Sequence, residues 1–115
     1  MQFSKVSGQK NNHKVTIYAL STCVWCKMTK QYLKDNNVEY EFVDVDLLDD
    51  KDKNKAHDAI TSKGGVLSYP TTIVDDKTLI TGFRKDLLNE ALGLWPLLSK
   101  LEKELKLTLK HTVIT

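Results

Sequence analysis

Both cysteines of the 115 residues lie in one short stretch, Thr22-Cys23-Val24-Trp25-Cys26-Lys27. A Cys-x-x-Cys spacing keeps two sulfurs within reach of each other, so they can exchange a disulfide or share a metal ion. A thiolate attacks disulfides and a thiol does not, so the question is which sulfur ionises near neutral pH. Cys23 stands just ahead of a helix, where unpaired N–H groups and the macrodipole favour negative charge, and is the expected nucleophile. Cys26 shares a helical face with Thr29 and Leu33, one turn deeper, which suits a resolving thiol. Cys23 would attack a substrate disulfide, and Cys26 would then displace the reduced substrate and leave an oxidised pair. Lys27 either adds favourable charge or is simply solvated.

Other readings of the same pair stand beside this one. A structural zinc site needs about four ligands, and His13, His57 and His111 are scattered with no partnering spacing. A metal or iron-sulfur carrier using Cys23 and Cys26 is the rival of another class. A third reading makes the cysteines incidental to an interaction module that docks through residues 94–114.

The elements that must position the sulfurs follow from periodicity. Lys14 to Leu20 is rich in β-branched and aromatic residues, as a buried strand should be. Val24 to Asp35 reads as a helix, with Met28, Tyr32 and Leu33 on one face and Lys27, Lys30 and Lys34 toward water. Asn36-Asn37 stops it. Val38 to Val45 alternates as a second strand, giving a parallel βαβ unit. Asp49 to Lys63 is a charged helix with a narrow stripe at Ala56, Ala59 and Ile60, ended by Gly64-Gly65. Thr71–Val74 and Thr78–Thr81 read as a hairpin across Asp75-Asp76-Lys77, and Arg84 to Leu92 as a third helix. Residues 1–13 are polar and read as a flexible N-terminal extension. Residues 95–115 form a C-terminal extension on or beside the domain, helical to about Glu104 and then strand or disordered.

Bulk composition bounds the function. With 41% hydrophobic and 28% charged residues, the chain is an ordinary soluble domain with a modest core. A net charge of +2 is too mild to point to nucleic acid or a membrane surface. Residues 1–13 hold no signal-peptide core, and Ala91 to Leu98 is far shorter than the roughly 20 residues a membrane span needs. The expected location is therefore the cytoplasm, where a close cysteine pair serves redox or metal chemistry.

Taken in order, these parts resemble the thioredoxin-like superfamily and, within it, the glutaredoxins. The resemblance covers about residues 14–94. It rests on the strand ending in Ser21-Thr22-Cys23-Val24-Trp25-Cys26, the helix after it, Tyr69-Pro70-Thr71 before the third strand, and Thr81-Gly82-Phe83-Arg84 before the last helix. It implies an α/β glutaredoxin fold with a four-stranded mixed sheet of order 2-1-3-4 flanked by helices, here with an extra C-terminal helix or strand. It also implies a cis Pro70 beside the cysteines, and a Tyr69 backbone that pairs with an extended substrate like an added strand. Thr22, Val24, Trp25, Gly82, Phe83 and Arg84 would complete the substrate site.

Two departures bear on the electron donor. Glutathione-using glutaredoxins commonly carry Lys three residues before the first cysteine, where this chain has Leu20. Their Gly-Gly-Cys-Asp-Asp-like turn is here Gly82-Phe83-Arg84-Lys85-Asp86. That turn resembles the redoxins that serve ribonucleotide reductase and are recharged by thioredoxin reductase. The resemblance thus implies a monomeric reductant of a disulfide-bearing protein such as ribonucleotide reductase, with a reductase or small thiol as donor. No cofactor beyond the Cys23/Cys26 disulfide is expected, nor any metal. A glutathione-dependent glutaredoxin is the alternative, and there Arg84 could grip a carboxylate bidentately.

Overall fold

The computed structural model describes residues 1–94. The expectations for residues 95–115 lie outside them. The central strand is β2, Val15–Ala19, in which every residue is buried. Such a run of β-branched and aromatic residues fits a strand covered on both faces. Helix α1, Val24–Asp35, carries the chain over to β3, Tyr40–Asp44, which pairs parallel with β2 in the register Ile17↔Phe42. A short 3-10 turn, Val45–Leu47, takes the place of the strand's expected last residue. Helix α2, Asp50–Thr61, follows, capped by the Asp49 carboxylate on the N–H of Asp52. β4, Thr71–Val74, and β5, Thr78–Thr81, form the expected hairpin, with Asp75 and Asp76 in the left-handed conformation. β4 pairs antiparallel with β2, and α3, Lys85–Leu92, closes the domain.

The sheet buries both faces. On one side, Cys26 and Leu33 of α1 meet Leu88 and Leu92 of α3 over Val15, Ile17 and Ala19. On the other, Ala56 and Ile60 of α2 cover Tyr18, Val43 and Ile73. Burying a side chain such as Ile17, Leu33 or Ile60 contributes roughly 1.5–3 kcal/mol, so these few residues hold α1 and α2 against the sheet. α1 stops where Asn37 turns to a φ of 58°, as the Asn pair implied.

Residues 1–13 are not a free arm. Ser4–Val6 forms β1, antiparallel to the outer edge of β3 in the register Lys5↔Glu41, and Lys10 continues the docking with bonds to Asn37 and Glu39. The sheet therefore has five strands in the order β1-β3-β2-β4-β5, the expected four with β1 added outside β3. The physical reason is the open edge of β3, whose unpaired N–H and C=O groups need partners. Met28 also departs from expectation. It is 41% exposed, because the inward face of α1 is set by Cys26, Thr29 and Leu33.

Candidate active site

The site lies at the carboxyl end of β2, the usual place for chemistry in a parallel α/β layer. Cys23 is the N-cap of α1, in extended conformation, and its Sγ accepts a hydrogen bond from the Cys26 N–H at 3.2 Å. A bond of this kind strengthens when the acceptor is negatively charged. Cys23 is partly exposed, whereas Cys26 is completely buried; both thiols are free. Burial foremost, and then a hydrogen bond with Cys23, pushes the Cys26 thiol up to about 12. The two sulfurs thus differ, one reachable and the other buried and held protonated.

Of the predicted site residues from elsewhere in the chain, Tyr69 comes closest to Cys23. The Tyr69–Pro70 peptide is cis, as the resemblance implied. Its Tyr69 carbonyl lies 3.9 Å from Cys23 Sγ, placed to accept from the thiol. Gly82, at a φ of 82°, donates its N–H to the Pro70 carbonyl at 2.8 Å and so joins the two loops. Phe83 packs between Trp25, at 6.5 Å between ring centroids, and Tyr32, at 6.0 Å. Tyr32 also donates its hydroxyl proton to Asn89 of α3. Trp25 is 58% exposed, and Val24 next to it is exposed too, which leaves an apolar rim beside the reachable sulfur; Val66 and Leu67 are exposed in the loop before β4. Thr22 is exposed.

Arg84 does not point a free fork at this rim. Its Nε and Nη2 bind the two oxygens of Asp86 at 3.2 and 2.9 Å. Among the described residues, no group of three or more His, Cys, Asp and Glu side chains stands close enough to hold a metal ion.

Two further residues act on the site and were not singled out in the sequence. Asp46, in the turn after β3, accepts from the Ser21 N–H at 2.9 Å and the Ser21 hydroxyl at 2.5 Å, clasping the loop that leads to Cys23. These bonds from Ser21 hold the Asp46 carboxyl below its ordinary value. The one available signal was its position, just past the carboxyl end of a parallel strand. Lys30, read as a wet lysine, is only 20% exposed, with its Nζ 3.4 Å from Asp44 and 3.8 Å from the Phe42 ring centre.

Comparison with known proteins points to one family. The glutaredoxin family model matches residues 15–79. A glutaredoxin-like 8.6 kDa protein of the rubredoxin operon of Clostridium pasteurianum is 38% identical over 71 residues, which are 62% of this chain and 87% of that protein. The crystal structure of Methanosarcina acetivorans methanoredoxin superposes with a TM-score of 0.73 at 43% identity, over 78% of this chain and 95% of that one. The Escherichia coli NrdH-redoxin, a glutaredoxin-like protein described as having a thioredoxin-like activity profile, superposes with a TM-score of 0.55 at 28% identity, over 67% and 92% of the two chains. The chain belongs to the glutaredoxin family and is a thiol-disulfide oxidoreductase of thioredoxin-like fold.

Proposed function

We propose that Cys23 and Cys26 are the reacting pair, with Cys23 as nucleophile, Cys26 as resolver and Tyr69-Pro70 as the platform for the substrate. The observation that carries this reading is the placement of Cys23 Sγ between the Cys26 N–H and the Tyr69 carbonyl, at 3.2 and 3.9 Å. A substrate chain lying along Tyr69 would bring its disulfide to that sulfur. Cys23 attacks, the outer substrate sulfur leaves, and a mixed disulfide forms; Cys26 then attacks Cys23, and the second substrate sulfur leaves. Within the protein, the two sulfurs are the atoms whose bonds change.

The substrate class is a protein disulfide, ribonucleotide reductase being the type of partner implied, and the donor is of the thioredoxin-reductase type. The exposed apolar side chains of Val24 and Trp25, next to Cys23 in the chain, support the first part. Leu20 in place of a lysine, the occupied fork of Arg84, and the likeness to NrdH-redoxin support the second. Reaction in the cytoplasm fits both.

Insulin-disulfide reduction tests the pair. Cys23→Ser should lose all activity, whereas Cys26→Ser should still attack and then stall as a mixed disulfide visible by mass spectrometry. Full activity in both variants overturns the reading. Comparing recharging by thioredoxin reductase with recharging by glutathione plus its reductase settles the donor, and faster turnover with glutathione reverses it.

A further inference from the structure

The resolving step asks a completely buried thiol to give up its proton, and α1 supplies one cation for it. Lys30 follows Cys26 by four residues, which puts both side chains on one helical face with Cβ atoms about 5–6 Å apart. Lys30 is also unusually fixed for a lysine. It is drawn down on α1 by Asp44 of β3, with its ammonium lying over the Phe42 ring. The core around Cys26 otherwise holds the thiol of Cys23, the phenols of Tyr32, Tyr40 and Tyr69, and apolar groups from β2 and α3. Lys30, with Asp44 beyond it, is the charge on this side of the sulfur; it pulls the Cys26 thiol down beside a stronger backbone hydrogen bond with Leu20, against the burial that raises it.

We propose that Lys30 promotes the resolving step through its charge, favouring the Cys26 thiolate as it displaces the reduced substrate from Cys23. This rests on Cys26 being the resolver. In the step, the Cys26 thiolate bonds to Cys23 Sγ and the bond between Cys23 and the substrate sulfur breaks. The departing sulfur takes the electron pair and a proton, and Cys26 has released one to solvent. Asp44 and Phe42 hold the ammonium in place; they do not take part.

Stopped-flow reaction of the reduced protein with excess neutral dipyridyl disulfide separates the two steps. Thiopyridone is released first in a phase that depends on reagent concentration, which is attack by Cys23, and then in one that does not, which is resolution by Cys26. Lys30→Gln should slow the second phase at neutral pH by about 3- to 10-fold, the effect of one screened charge at this range. It should also move that phase's pH profile upward and leave the first phase unchanged. Lys30→Arg should restore both rate and profile. An unchanged second phase in Lys30→Gln, or equal slowing of both phases, overturns the proposal. A concentration-independent phase that persists in Cys26→Ser would instead overturn the assignment of the resolver.

Discussion

Cys26 is the residue on which stability and chemistry meet. Its thiol is pushed up to about 12 by burial and by the Cys23 hydrogen bond, while an unfolded cysteine titrates near 8.5. The fold accommodates the neutral form, so the stabilisation is complete below about pH 8.5 and is lost progressively as pH rises toward 12. Urea unfolding of the reduced protein between pH 8 and 11 should therefore show a steeper decline for wild type than for Cys26→Ala. Tyr18 and Tyr40, also raised by burial, contribute equally to both. At this scale the sequence was informative about the unequal burial of Cys23 and Cys26, because it follows from their places on one helix. It was silent about Asp46 and placed Lys30 in water, because their partners Ser21, Asp44 and Phe42 lie 25, 14 and 12 residues away along the chain and meet them only once the sheet has formed.

Among the elements, α1 and the βαβ unit were legible because each repeats its own period over enough residues, and β4 and β5 because the polar turn Asp75-Asp76-Lys77 separates them. β1 was not. It has three residues, two of them exposed, so no alternation could emerge, and its stability comes from the edge it covers. The exposed Lys5 on this outermost strand, bridged to Glu39 at 3.6 Å, is the kind of charge that discourages edge-to-edge association. Gly8 is the tightest point of the docking. A Cβ there would stand 2.6 Å from the backbone of Val38 and Glu39. Gly8→Ala should therefore peel the arm from the sheet and cost about 1–3 kcal/mol, read as a lower thermal midpoint, with Lys5→Ala nearly neutral. An unchanged midpoint in Gly8→Ala would mean that the arm contributes nothing to the domain.

For the molecule as a whole, the loops after β2 and β3 and the loop before β4 gather at one end of the sheet, and that end is both reactive and apolar. Leu47, in the turn clasped to Ser21 through Asp46, is exposed there together with Val24 and Trp25. A protein substrate can cover such a rim and a small disulfide cannot. Trp25→Ser should accordingly lower kcat/KM for insulin by about 5-fold, the loss of one modest interface contact. Reduction of a small disulfide should be unaffected, and equal losses on both would assign Trp25 to the chemistry instead. One bond also makes the reaction visible from within. The Cys26 amide that caps onto Cys23 Sγ is a backbone probe fixed to the reacting atom. Its NMR resonance should step through distinct positions for thiol, thiolate, mixed disulfide and closed ring, letting each turnover be followed without a label or a chromophore.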